Sequence, residues 1–311
     1  MALAFKQSLF SATDKVLAAV SGGLDSVVML DLLVELKKIK GFALSVAHLN
    51  HQIRGRTAGR DADWAESLAA KYGLPFHLGV KNVPALAAQF GWSLEDAGRR
   101  ARYEFFLQEA GRHSYNTLAL AHHADDQAET MLLRLLRGAA ARGLSGIAEE
   151  RTEQGVRIVR PLLAAAKLDI LNYATEKKLV YHEDETNTDT AYTRNKLRWE
   201  ILPLLKAINP NYQEGLRRTA EILRGDDEYL AVQARRVYAE VILAEDAGRI
   251  RLDAVALQNT PRAIARRVVR LAVEKLCGAL DDISLSFVEN FLDNGLTTLG
   301  VDGTGRLLVS K

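Results

Sequence analysis

At 311 residues, 48% hydrophobic and with a mean hydropathy of -0.08, the chain has the composition of an ordinary globular protein, too long for one core, so two domains are expected. No apolar run reaches membrane-spanning length, and MALAFKQSLF is too short and too weakly apolar for a signal peptide, so a cytoplasmic location is expected. A formal charge of +2, from 41 basic and 39 acidic side chains, neither demands nor forbids a nucleic-acid partner; the lone Cys277 excludes an internal disulfide framework, a CxxC zinc site and two-cysteine sulfur-relay chemistry.

Val16 to Val20 has the length and β-branching of a buried strand, and Ser26 to Leu36 carries apolar residues at helical spacing. Ser21-Gly22-Gly23-Leu24-Asp25-Ser26 is the turn between them. Without Cβ atoms, Gly22 and Gly23 let backbone N–H groups converge on one anion, and the following helix offers its unpaired N–H groups and positive dipole end. A polyphosphate fits there. The turn lacks the Lys of a Walker A loop and the three glycines of a dinucleotide fingerprint. Asp25 would repel a bare phosphate, so it either caps the helix or holds a Mg2+ between itself and the phosphates.

Residues 42–48 form a second predicted strand, followed by Leu49-Asn50-His51-Gln52-Ile53-Arg54. A helix over 62–72, a strand over 73–80, a long helix over 93–110 and a strand over 117–121 come next. The last runs into His122-His123-Ala124-Asp125-Asp126-Gln127-Ala128-Glu129-Thr130 and an apolar helix through Leu136. This is the βαβ rhythm of a parallel sheet, whose ligands sit beyond the carboxyl ends of the strands. The polar clusters at Ser21, His48 and His122 all fall at such ends.

The loop 138–146 is the most glycine-rich connection; a strand over 158–163, a helix over 168–181 and an acidic, threonine-rich stretch over 182–193 follow. A domain boundary is expected near Ala207-Ile208-Asn209-Pro210, where Asn-Pro interrupts the helical pattern, dividing the chain into 1–207 and 208–311. Beyond it, helices are expected over 212–242 and 261–276, with a short apolar run at 306–309. Residues 208–311 hold 14 basic and 15 acidic side chains, so this half is not a basic arm. Arg262, Arg266, Arg267 and Arg270 nevertheless share one helix face, either a solvated surface or an RNA contact.

Each polar cluster also has a plain reading. His122, His123, Asp125, Asp126 and Glu129 could ligate a metal or mark a helix start enriched in acids; Asp126 and Glu129, three apart, also form a compact face suited to an ammonium or Mg2+. His48 and His51 could be satisfied surface histidines. Arg99 and Arg102 share a helical face that either neutralises phosphate or is a solvated stripe.

Together these blocks resemble the N-type ATP pyrophosphatases of the PP-loop superfamily, and within them the tRNA(Ile)-lysidine synthase family. The matching stretches are Ser21 to Ser26, the HxNHxxR of His48 to Arg54, the AGRxxRY of Ala97 to Tyr103 and the AHHxDDxxET of Ala121 to Thr130. Asp184 to Asn187, the RNxxR of Arg194 to Arg198 and Pro203 also resemble family elements. The resemblance implies an α/β fold: a doubly wound, Rossmann-like parallel sheet forming the catalytic domain, then a helical linker and a small α+β domain that contacts tRNA.

It implies an enzyme, a ligase that adenylates oxygen 2 of the wobble cytidine of the CAU-anticodon isoleucine tRNA with ATP and Mg2+, releasing pyrophosphate. Lysine then displaces AMP at carbon 2 to give lysidine. By the same resemblance Ser21, Gly22, Gly23, Leu24, Asp25 and Ser26 would hold the pyrophosphate, Asp25 the Mg2+, and the backbone near Ala19 and His48 the adenine. Arg102 would serve the substrate or phosphate, His122 the phosphate or adenylate, and Asp126 and Glu129 the lysine ammonium. Arg194, Asn195 and Arg198 would approach RNA or cover the site. A homodimer is left open. The family's RGxG after the acidic helix is replaced by Arg137-Gly138-Ala139-Ala140, which puts that loop's conformation in doubt. A further acceptor-stem domain of long members is expected to be missing from a chain of this length. A tRNA thiolase would need cysteine pairs, amide-forming relatives normally bring a glutaminase domain or lack the HHxDDxxET block, and a nucleotide sensor would need no ammonium pocket.

Overall fold

The computed structural model describes residues 3–53, 56–182, 193–246, 248–278, 283–301 and 307–310. Arg54 and Asp184 to Asn187 therefore lie outside the described residues. The chain divides into two compact units, Met1–Ala220 and Glu221–Lys311. The Asn209-Pro210 interruption separates two helices, Leu202–Ile208 and Tyr212–Val241, and the division between units falls inside the second of them.

In the first unit, β1 (Lys15–Ala19) leads to α1 (Leu24–Lys40), β2 (Ala43–Asn50), α2 (Arg56–Lys71) and β3 (Phe76–Val80). Then come α3 (Val83–Phe90), α4 (Leu94–Arg112), β4 (Thr117–Ala119), α5 (Ala124–Leu136) and α6 (Ala141–Leu144). A hairpin of β5 (Glu150–Glu153) and β6 (Val156–Val159) precedes α7 (Lys167–Glu176). The sheet order is β3-β2-β1-β4-β6-β5, all neighbours parallel except the antiparallel edge strand β5. Val16, Ala18 and Val20 pack with α1, α2 and α7 on one face, while Leu17 packs with α4 on the other. A strand buried on both faces must be apolar at consecutive positions, and this is why β1 reads as an unbroken apolar run. The expected doubly wound α/β class is the observed one.

Because the chain winds from β1 to β2 on one side and β4 lies on the other, the exits of β1, β2 and β4 are neighbours. That is the switch point at which parallel sheets leave a crevice. The register Ala19↔Ala47 and Ala18↔Ala119 sets the Ser21 turn beside His48 and the 122–123 segment.

Several elements differ from the sequence reading. The strand expected at 158–163 begins at Val156 and stops at Val159, before Pro161, which has no N–H for a ladder. The helix expected to reach Tyr181 ends at Glu176, where Lys178 takes φ +52 and the Leu179 N–H turns back to Ala174 O. The loop 138–146 contains the turn α6, and Arg134 Nη1 ties it down on the Gly143 and Gly146 carbonyls at 2.8 and 2.9 Å.

After 192, α8 (Thr193–Lys196) runs into a π-helical turn, Leu197–Ile201, and α9 (Leu202–Ile208). Pro203 cannot donate to the carbonyl four residues back and its ring crowds it, which accounts for the widened turn; the Leu202 N–H bonds Leu197 O, five residues back. α10 (Tyr212–Val241) follows.

The second unit has a four-stranded antiparallel sheet, β10-β9-β8-β7. It comprises β7 (Ile242–Asp246), β8 (Arg249–Leu252), α11 (Ala254–Gln258), α12 (Arg262–Cys277), α13 (Leu285–Asp293), β9 (Thr298–Val301) and β10 (Leu307–Ser310). Val268, Val269, Val273, Phe291 and Leu299 are at its core. The arginine face of α12 is tied up within the unit: Arg262 and Arg266 pair with Glu289, Arg267 with Asp227, and Arg270 donates to Ile283 O.

Candidate active site

The turn after β1 is folded around Ser26. Its buried hydroxyl accepts from the Ser21 N–H at 3.2 Å and donates to Gly23 O at 2.8 Å, while Ser21 Oγ accepts from the Gly23 N–H at 3.3 Å. Gly22 adopts φ +96, where an L side chain is strained, and a Cβ there would meet the Trp64 ring at 3.5 Å. Among the described residues the N–H groups of Gly22, Leu24 and Asp25 have no hydrogen-bond partner. They stand at the start of α1 with its dipole behind them, a concave set of donors for an anion.

Asp25 points from the first turn of α1 to Lys167 Nζ, 2.6 Å away, on α7. His123 caps α5: its Nδ1 accepts from the Asp125 N–H at 3.2 Å, so the proton of the neutral ring is on Nε2. That nitrogen lies 3.7 Å from Asp25 Oδ2 and 3.6 Å from Asp126 Oδ2. The adjacent histidines thus have separate tasks, His123 joining the phosphate turn to the acidic helix. His122 leaves Nδ1 buried without a partner, and burial, with Arg160, Arg102 and Arg194 adding to it against the pull of Asp126, lowers its pKa to about 4.

Glu129 is fully buried, and both its oxygens are taken by Arg198, Nε to Oε1 at 2.6 Å and Nη2 to Oε2 at 3.1 Å. Burial raises its pKa despite that pair. Asp126 accepts the His123 N–H at 2.9 Å and lies 3.5 Å from Arg198; burial pushes its carboxyl up, but the neighbouring histidines, the His123 N–H and Arg198 together hold it below the usual range. Arg194 spans Glu95 at 2.8 Å and Thr130 at 3.2 Å, its Nε 3.6 Å from Glu129. Asn195 follows it on α8. The phenol of Tyr212, at the start of α10, is raised by burial and by the Asp125 and Glu129 carboxylates, so it too faces this cluster.

Arg102 is reachable by solvent in a recess crowded by protein, and lost hydration together with Arg194 and Arg99 lowers its pKa. No carboxylate pairs with it among the described residues. His48 Nδ1 donates to Val20 O at 2.8 Å, which fixes its ring beneath the phosphate turn and beside Ala19. His51 keeps Nδ1 buried and unpartnered, with a pKa lowered by burial and Arg102 to about 4.

The sequence-predicted residues therefore gather at one crevice, with the Ser21–Ser26 turn at one side and Asp126, Glu129, Arg194 and Arg198 at the other. Lys167, Trp64, His182 and Tyr212 were not legible as site residues; His182 donates its backbone N–H to Gly22 O at 3.0 Å and its ring lies tilted against that of Trp64, centroids 4.9 Å apart. None of the four sits in a recognisable spacing; Lys167, Trp64 and His182 are brought in by chain crossing.

The sequence of residues 2–205 matches the model of the PP-loop domain. The chain belongs to the PP-loop domain family. It is 41% identical to the tRNA(Ile)-lysidine synthase of Geobacter sulfurreducens over 91% of this chain and 60% of that protein. It is 37% identical to the tRNA(Ile)-lysidine synthase of Dehalococcoides mccartyi over 92% of this chain and 62% of that protein. The PP-loop chain thus spans about three fifths of the length of these curated relatives. Among solved structures, the U34-tRNA thiolase NcsA of Methanococcus maripaludis shares the fold with a TM-score of 0.60 at 22% identity, over 71% of this chain and 76% of that one.

Proposed function

We propose that this PP-loop protein uses ATP to attach lysine to carbon 2 of the wobble cytidine of an isoleucine tRNA with a CAU anticodon, by way of a cytidine adenylated on oxygen 2. The observation that carries the reading is the buried carboxylate of Glu129 holding a guanidinium next to a turn with three unpartnered N–H groups. A site that grips a side-chain cation beside a polyphosphate cradle suits an amine nucleophile and an ATP-activated electrophile. The names of the relatives support the same reading.

In this reading the Gly22, Leu24 and Asp25 N–H groups take charge developing on the departing pyrophosphate, a differential stabilisation of the transition state. The backbone around Ala19 and His48 frames adenine. Asp25 and Asp126, hard oxygen donors on either side of His123, fit a Mg2+, with Lys167 giving up its place on Asp25. Such an ion supplies charge neutralisation between the phosphates. Arg102, free of carboxylates, meets the phosphate or the tRNA, and neutral His122 offers its nitrogen to the adenylate. Asp126 and Glu129 receive the lysine ammonium once Arg198 withdraws, and Glu129, its pKa raised by burial, takes a proton from it, freeing the Nζ lone pair to attack carbon 2 as the bond to the AMP oxygen breaks and AMP leaves. Arg194, Asn195 and Arg198 cover the pocket until substrate arrives. A catalytic domain over 1–207, a tRNA-contacting part over 208–311 and a cytoplasmic setting complete the proposal.

The test is transfer of labelled lysine to a CAU-anticodon isoleucine tRNA. Lysine is expected to enter the tRNA only with Mg-ATP, with release of AMP and pyrophosphate. A folded protein that hydrolyses ATP without incorporating lysine overturns the assignment.

A further inference from the structure

His77 on β3 and Glu109 and His113 of α4 and its C-cap converge away from the phosphate turn. The last two are four apart, so they share a helix face. Their ligand atoms and that of His77 all lie within 4.8 Å of one another. His77 Nδ1 is 3.3 Å and His113 Nε2 3.4 Å from the same oxygen, Glu109 Oε2. Two donors held about 2.0–2.1 Å from a tetrahedral zinc lie about 3.3–3.4 Å apart, so both separations match edges of such a shell.

The hydrogen bonds behind the ligands favour the same occupant. The Tyr115 hydroxyl donates to Ser45 Oγ at 2.8 Å, leaving its oxygen to accept from His77 Nε2 at 2.8 Å. That puts the proton of the neutral ring on Nε2 and turns the Nδ1 lone pair toward the Glu109 carboxylate. Two acceptors then face each other at 3.3 Å, a conflict that a cation between them removes. A histidine whose far nitrogen is fixed by a hydrogen bond is also how metal-bound imidazoles are oriented. Arg112 Nη1 donates to the other oxygen, Oε1, at 2.6 Å, which orients the carboxylate and leaves Oε2 inward. His77 and Glu109 are mostly shielded while His113 is open to solvent, giving an entry path.

We propose that His77, Glu109 and His113 form a second-site metal centre for a divalent borderline transition ion, zinc foremost, with its remaining position open to water. Imidazole and carboxylate together suit that class of ion. The ion would clamp the edge strand β3 to the C-terminal end of α4.

The full chain, stripped of metal with a chelator, is titrated with zinc chloride alone against a chromophoric competitor, and retained zinc is measured by mass spectrometry after desalting. One equivalent per chain and a zinc-dependent rise in Tm are expected for the parent protein. Glu109→Gln and His113→Ala should each weaken zinc binding at least tenfold and abolish the rise, whereas Cys277→Ser and Asp25→Ala keep both. His113→Ala changes an exposed side chain, so it decides the matter should Glu109→Gln fail to fold. Equal zinc retention in His113→Ala and the parent, or no retention by the parent, overturns the proposal and leaves a hydrogen-bonded trio.

Discussion

Arg198 holds both oxygens of Glu129, at 2.6 and 3.1 Å, from a π-helical turn that Pro203 imposes. A carboxylate with no exposed surface is costly unless a charged, hydrogen-bonding partner offsets its lost hydration. The pocket is therefore built for a cation, and a protein side chain fills it. Lysine binding at Asp126 and Glu129, as proposed, has to be an exchange of one cation for another.

Arg198→Ala should accordingly lower stability by about 2–3 kcal/mol, less than the roughly 3–5 typical of a broken buried pair, because Arg198 is 31% exposed. Lysine should recover part of the loss and norleucine, which has no side-chain amine, none. Thermal unfolding of the variant with each ligand measures this; equal responses to the two would sever the link between the acidic pocket and an ammonium.

Asp25 and Glu129 lie in different halves of the crevice and should fail at different steps. Asp25→Ala is expected to abolish adenylation of the tRNA. Glu129→Ala should still accumulate some adenylated tRNA yet block lysine transfer. Single-turnover assays that follow labelled AMP and labelled lysine separately distinguish the two, and equal loss of both steps in Glu129→Ala would refute its assigned role.

Gly22→Ala should harm both fold and nucleotide binding. Its φ of +96 is unfavourable for any residue with a Cβ, at a cost of about 1–2 kcal/mol. The new methyl would sit in ordinary contact with the Trp64 ring at 3.5 Å, so it is relaxation of the strained backbone that would turn the neighbouring N–H groups away. Denaturant unfolding should show the modest loss, and equilibrium binding of ATP a larger one, at least tenfold. Parent-like ATP affinity in a variant carrying that strain would mean that the turn does not cradle phosphate.

The sheet was legible because β1, buried on both faces, must be written in consecutive apolar residues from Val16 onward, and β2 departs from that only at Ser45 and His48 before its end. The phosphate turn was legible because Gly22 sits where only glycine is comfortable. Glu129 and Asp126 could be found by their spacing of three. Lys167 could not, since it reaches Asp25 only through the placement of α7. Nor could the division of labour between His122 and His123, which depends on which imidazole caps α5. The arginines of α12 illustrate the reverse: a shared face signals a surface, but its partners Glu289 and Asp293 come from another helix.

Two partly buried histidines whose Nδ1 atoms are shut off from solvent set the expected response to acid. His51 and His122 titrate at about 4 in the folded chain, against an ordinary value of 6.5 when unfolded. Above pH 6.5 both states hold them neutral and their contribution to stability is complete; as pH falls from 6.5 toward 4 the unfolded chain takes up protons that the folded chain refuses. Each can remove up to about 3 kcal/mol over that window. His48, also lowered by burial, adds to the loss, while Glu129, raised by burial, acts in the opposite sense. Urea unfolding at pH 7 and pH 4.5 should show a marked drop for the parent and a smaller one for His51→Asn/His122→Asn. An identical pH dependence in that double variant would show that other groups carry the acid sensitivity.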